Sequence, residues 1–201
     1  VKTLPRGFYA RPTALVARDL VGKILVRRIG KRRISGRIVE VEAYASGDPA
    51  SHAFRGRTAR NRALFEEVGR AYIYQVHGHF CLNVVARKAT RAGGILFRSL
   101  EPLEGIDLMR RRRPGVRDGD LARGPGNLTR AMGIDMRLYA ADMTRKGPLL
   151  IADDGALPPP IRRTVRIGVT AARNKPWRFV VDGSPFVTRP RLAALGRRPA
   201  R

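Results

Sequence analysis

The stretch KILVRRIGKRRISGRIVEVEAY, Lys23 to Tyr44, holds two β-branched, arginine-studded runs on either side of the pair Gly30-Lys31. Each run has the composition of a strand, and the glycine supplies the positive φ of a tight turn. The stretch therefore predicts a β-hairpin, with one strand over 23–29 and the next over 33–44. In the second strand, alternation sends Glu40, Glu42 and Tyr44 to one face and Val39, Val41 and Ala43 to the other. Two carboxylates this close repel each other and raise the proton affinity of at least one, a route to a base of tuned strength. The competing reading is an ordinary solvated polar face.

Working outward, RPTALVARDLVGK reads as a short helix with Thr13 as its N-cap. Further strands are predicted in AYIYQVHGHFCLNVVA, GGILFRSL, RTVRIGVT and WRFVVDG. Helices are predicted in LEGIDLMRRRR and, behind the glycine turn RGPGN, in LTRAMGI. The connections are too short for parallel crossovers, so the chain reads as one α+β domain over 1–201 around a curved, mostly antiparallel sheet. RRRPGVRDGD at 111–120 and ALPPP at 156–160 read as loops, and ALGRRPAR at 194–201 as a flexible tail.

The formal net charge is +25, and only six of the 41 basic residues are lysine. GC-rich coding explains arginine over lysine but not the excess of positive charge, so a polyanion is the expected partner, nucleic acid ahead of a membrane surface. No segment approaches the ~18 apolar residues of a membrane span, and VKTLPRGFYARP has no signal-like apolar region. Cys81 is the one cysteine, which excludes an intrachain disulfide and a CxxC zinc site. A cytoplasmic, unexported protein is expected.

Against this basic background two more constellations stand out. His77, His79 and Cys81 alternate beside Tyr72 and Tyr74. A metal site would need a second ligand group, and the H-x-E/P-C-x-x-C pattern of zinc deaminases is absent, so rings among basic residues read better as base-stacking surfaces. Arg98 ends the apolar run ILF.

The fragments VGKILVRR, GRIVEVEAY, SHAFRGRTARNRALF, AYIYQVHGHFCLNVV, ILFRSLEPLEG, GPGNLTRAMGI and KPWRFVVDGSPFVTR, in this order, resemble the alkyladenine (3-methyladenine) DNA glycosylase family from Leu20 to about Arg189. The resemblance implies an α+β domain with a protruding β-hairpin for the DNA minor groove. It also implies a monofunctional base-excision repair enzyme without metal, cofactor or lyase lysine, acting as a monomer on double-stranded DNA. Its substrates would be 3-methyladenine, 7-methylguanine, hypoxanthine and ethenoadenine; in a bacterium it would work at the nucleoid. Residue by residue, the resemblance makes Glu42 the general base, with Arg98 and the Ile167 carbonyl positioning the water. Tyr44 and His52 flank one side of the flipped base and Tyr74 the other, and Asn83 screens purines. Thr58, Arg60, Asn61 and Arg62 lie in the phosphate-contacting region. His77 stands where the family has a wedge tyrosine, with His79 as its neighbour. Asn127 stands where the family has a lysine, with Arg123 or Arg130 as compensating cations. A non-catalytic lesion sensor and a basic RNA-binding protein are the alternatives; the first has no use for Glu42 and Arg98, and the second leaves the pocket unexplained.

Overall fold

In a computed structural model, which describes residues 2–88 and 91–189, the chain is built on a curled antiparallel sheet. The tail expected over 194–201 lies outside the described residues. The predicted hairpin forms: β2 (Ile24–Ile29) and β3 (Arg32–Tyr44) pair with Ile29 opposite Arg32, and Gly30 takes φ 56° at the turn. In front of it lie β1 (Lys2–Thr3), α1 (Arg6–Tyr9) and α2 (Thr13–Leu20). After it come β4 (Ala71–Val76), β5 (His79–Val85), β6 (Gly94–Glu104), α3 (Ile106–Arg112), α4 (Pro125–Met132), β7 (Leu149–Asp153), β8 (Ile161–Thr164) and β9 (Arg178–Val181).

The sheet runs β1-β7-β2-β3-β6-β5-β4, with β8 and β9 as a branch paired onto β3. β3 is its spine. The half nearest the turn pairs with β2, Glu40 to Glu42 pair with β9, and β6 follows almost its whole length on the other side. Both faces of the second half of β3 are covered, and Val39 through Ala43 are all buried. The solvated-face reading of Glu40 and Glu42 therefore fails. The β3/β6 register skips Val39 on one strand and Arg98 on the other, and an irregularity of this kind re-aims the side chains beside it.

The core follows from the apolar stripes. α2 buries Val16, Ala17 and Leu20 beneath β3, and α4 buries Leu128, Ala131 and Met132 against β5 and β6. Several expectations need correction. Thr13 is the first residue of α2 rather than its cap, because its hydroxyl donates to Ala86 O at 2.9 Å. α4 begins inside RGPGN, with Pro125 in its first turn, where a missing N–H does no harm. In RTVRIGVT only the first two residues belong to β8; from Val165 the chain leaves the sheet. β1, α1 and β7 were not foreseen.

Edge strand β4 and β5 form a hairpin whose tip, His77 and Gly78, has φ 47° and 76°, the paired positive values of a tight two-residue turn. Behind it, a Cβ at Gly126 would stand 2.8 Å from His79 Cβ, so only glycine lets α4 approach β5 so closely. Among the described residues no helix is long and apolar enough to cross a membrane.

Candidate active site

The two carboxylates of β3 share one arginine and have different surroundings. Arg98 Nε donates to Glu40 Oε1 at 2.8 Å, and its NH1 donates to Glu42 Oε2 at 3.1 Å. Glu40 is then saturated. Oε1 also accepts from Arg178 Nε at 2.7 Å, and Oε2 accepts from the backbone N–H of Thr188 at 2.6 Å and from its hydroxyl. Burial alone would raise the Glu40 carboxyl, but the Arg98 charge and the Arg178 and Thr188 contacts outweigh it and hold it below the usual carboxylate range. Burial works against the Arg98 charge too, and the two carboxylates more than offset it. Glu40 is thus a structural counter-ion.

Glu42 accepts from three donors: Arg98, the Tyr44 hydroxyl at 2.8 Å on Oε2, and the Ile167 N–H at 2.7 Å on Oε1. The resemblance had assigned the Ile167 carbonyl to the site. What the structure shows is the amide holding the carboxylate, while the carbonyl accepts no hydrogen bond among the described residues. Glu42 is wholly buried, one hydrogen bond behind Tyr44.

Tyr44 is a wall of a cavity of about 300 Å³ that also involves Ser51, His52, Leu64, Tyr72, Tyr74, Asn83 and the loop Gly168–Thr170. The sequence-predicted rings and the asparagine therefore come together. Asn83, on β5, gives Nδ2 to Tyr72 O at 3.2 Å, which fixes its amide. Tyr72 itself is buried, and its hydroxyl bonds His52 Nδ1 at 2.9 Å. Burial, with the nearby Arg60 charge, lowers the affinity of His52 for a proton. Burial raises the tyrosine hydroxyls, and in Tyr44 the neighbouring Glu42 adds to the effect.

The resemblance places His52 on the side of the base opposite Tyr74; in the structure the two rings are in edge-to-face contact, with centroids 4.5 Å apart. A base stacked between them needs the rings about 7–8 Å apart, two contact distances, so they must part by about 2.5–3.5 Å. The cavity thus holds a partly closed slot.

Around the mouth, the stretch Pro49–Phe65 contains Arg55, Arg57, Arg60 and Arg62 and no acidic residue. Arg55 and Arg57 are exposed and have no hydrogen bond or ion pair among the described residues. Arg60 lies over the Tyr74 ring (5.8 Å) and Arg62 over Tyr139 (5.4 Å). Asn61 differs from its neighbours. Oδ1 accepts from Thr58 N at 2.6 Å and Nδ2 donates to His52 O and Gly56 O at 2.7 and 2.9 Å, so its side chain braces the loop and has nothing left for a phosphate. Asn127 similarly caps Arg123 O at 2.7 Å. Arg123 is tied to Asp120 and Pro185 O, whereas the Arg130 side chain is exposed without a hydrogen bond or ion pair among the described residues.

His77 is exposed at the hairpin tip, His79 lies against Gly126, and Cys81 is buried beside the Tyr74 hydroxyl. Among the described residues no three His, Cys, Asp or Glu side chains form a group that could hold a metal ion. Sequence reading missed Asp48 and Arg166, Arg178 with Thr188, and the loop Gly168–Thr170. The signal that was available, RIGVT, carries strand-like alternation and was read as a strand.

Residues 7–185 match the methylpurine-DNA glycosylase family. Three similar curated proteins, each named "Putative 3-methyladenine DNA glycosylase", come from distant organisms. The protein of Mesorhizobium japonicum is 49% identical over 180 residues, 89% of this chain and 86% of its own. That of Methanoculleus marisnigri is 46% identical over 193 residues (93% and 99%), and that of Carboxydothermus hydrogenoformans 41% over 189 (92% and 98%). A match across nearly the whole chain places it in the methylpurine-DNA glycosylase family, and with it among the hydrolases that cleave N-glycosidic bonds.

Proposed function

We propose that the protein extrudes alkylated or deaminated purines from double-stranded DNA, of the 3-methyladenine, 7-methylguanine, hypoxanthine and ethenoadenine class, and hydrolyses their N-glycosidic bond as a cytoplasmic monomer in base excision repair. The observation that carries this reading is the difference between Glu40, which has no free lone pair to offer, and Glu42, held by three donors one hydrogen bond behind a ring-lined cavity.

A sugar carbon cannot be attacked while its base is stacked, so the nucleotide leaves the helix at a cost of about a few kcal/mol, least for damaged or mispaired bases. His52 and Tyr74 part and the base stacks among them and Tyr44, which returns ~1–3 kcal/mol per stacked base. Asn83 crowds the purine edge and discriminates against a 2-amino group. Arg55, Arg57, Arg60, Arg62 and Arg130 meet the phosphates with Thr58, while Asn61 keeps the loop in shape. As the bond from C1′ to the purine nitrogen breaks, its electrons go to the base and the sugar becomes oxocarbenium-like. Glu42 stabilises that charge, exchanges its Tyr44 hydrogen bond for a water, and takes a proton as the water oxygen bonds C1′. The Ile167 carbonyl is open to hold the same water. The products are the free base and an abasic site.

The test is to incubate the protein with duplexes bearing each of the four lesions and cleave abasic sites with alkali. Strand breaks in at least one lesion duplex and none in the undamaged control are expected. Absence of breaks with all four would overturn the reading.

A further inference from the structure

Arg166 does not line the cavity, and the steps above make no use of it. Its side chain is wholly inaccessible, as is that of Asp48, with which it forms a two-pronged ion pair, NH2 to Oδ1 being 3.1 Å. NH1 also donates to Ala43 O at 3.0 Å, while Nε is buried without an acceptor among the described residues. The guanidinium carbon lies 4.7 Å from the centroid of the Tyr44 ring and 5.6 Å from that of Trp177. Lys175 Nζ is 3.8 Å from Asp48 Oδ1 and 4.4 Å from the Trp177 ring.

An arginine stays charged even when buried, so a permanent cation lies over a ring that also lines the cavity. A cation draws the electrons of a π face toward itself and leaves the ring a poorer partner for a second cation. Asp48 offsets that field, and a neutral purine is largely indifferent to it. We propose that Arg166 is a positioning residue that sets specificity through Tyr44: balanced by Asp48, its buried guanidinium sets how the cavity divides between neutral and cationic damaged purines. The inference rests on the reading of the cavity as the base pocket. A cation about 8 Å from the base, at an effective dielectric of about 20 and partly offset by Asp48, corresponds to about a three- to tenfold change in relative rate.

The experiment measures single-turnover release of hypoxanthine, which is neutral, and of 7-methylguanine, which is cationic as the nucleoside, from matched duplexes. Arg166→Met should shift the ratio about three- to tenfold toward 7-methylguanine. Asp48→Asn, which leaves the guanidinium uncompensated, should shift it toward hypoxanthine. A merely structural tie predicts the same direction for both variants, because both break the same ion pair. Shifts in one direction, or no shift in either, would overturn the inference and leave the glycosylase reading standing; no release of either base by the native protein would overturn both. If either variant fails to fold by circular dichroism, the more exposed Lys175→Gln decides. It should move the ratio toward 7-methylguanine by about twofold, since a more distant charge contributes less, and an unchanged ratio would overturn the inference.

Discussion

The arginines behind the cavity and the arginines in front of it are the same residue under opposite rules. Behind it, Arg98, Arg166 and Arg178 are buried, and each is matched to a buried carboxylate of Glu40, Glu42 or Asp48. In front, Arg55, Arg57, Arg60 and Arg62 occupy a stretch with no acidic residue, and none of them has an ion pair among the described residues. A third set, such as Arg110 with Asp118 and Arg111 with Asp107, is exposed and paired. The scarce acids are thus spent where an unpaired charge would be most expensive to bury or where the surface need not attract a polyanion. The excess of +25 is therefore unevenly distributed, and part of it gathers where the proposed substrate docks.

The largest expected effect breaks the buried set. Glu42→Gln keeps the shape but cannot take the water's proton, so base release should fall by ~100- to 10,000-fold with lesion binding near normal. Glu40→Gln, in the same strand and on the same arginine, should act on folding instead. It leaves Arg98 and Arg178 short of a counter-ion, at a cost of about 3–5 kcal/mol. Denaturant titration checks the second claim, and single-turnover kinetics the first. Equal catalytic losses from the two substitutions would erase the distinction. The pH dependence carries a sign. Because the folded Glu40 carboxyl sits below its usual range, its stabilisation is present above the unfolded value of ~4.3 and is lost as pH falls through the folded one. The stability gap between native protein and Glu40→Gln should therefore narrow in acid.

The next effect belongs to the mouth. With ~5–8 phosphates neutralised, the log–log salt dependence of binding to undamaged duplex should have a slope near −0.9 per contact. Replacing Arg55, Arg57, Arg60 and Arg62 by alanine should reduce that slope by about 3–4. Replacing Arg110 and Arg111 should leave it nearly unchanged. Equal reductions would mean that the whole basic surface binds without preference.

How much of this was legible varied with the range of the interactions. The β2–β3 hairpin was readable because alternation and Gly30 are local signals, and the ring set was readable from the order of its fragments. The sharing of Arg98 between Glu40 and Glu42 depends on the skipped residues Val39 and Arg98 in the ladder, which no alternation rule foresees. The segment after Thr164 misled for a related reason. Arg166 and Ile167 alternate like strand residues, yet one is turned inward to Asp48, 118 positions away, and the other offers its amide to Glu42. The satisfaction of Glu40 by Arg178 and Thr188 is equally non-local. Buried charges are matched across the fold, and a sequence records the charges without the matching.

The smallest expected effect lies between the two regions, at the hairpin tip. A nucleotide that leaves the helix opens a gap, and something must fill it or the base swings back. His77 is exposed at positive φ and has no hydrogen bond or ion pair among the described residues, whereas His79 is the first residue of β5, behind the tip, with its Cβ next to Gly126. We therefore propose His77 as the wedge. An imidazole offers less stacking surface than a phenol, so its contribution should lie at the low end of the ~1–3 kcal/mol of an aromatic–base stack. His77→Ala should weaken binding to a duplex with an uncleavable abasic analogue by about five- to tenfold and leave undamaged duplex nearly unchanged, and His77→Tyr should bind at least as well as the native protein. Fluorescence titration of the three proteins on both duplexes separates wedge from electrostatics: the mouth arginines act on both duplexes alike, so equal losses in the alanine variant would place His77 with them.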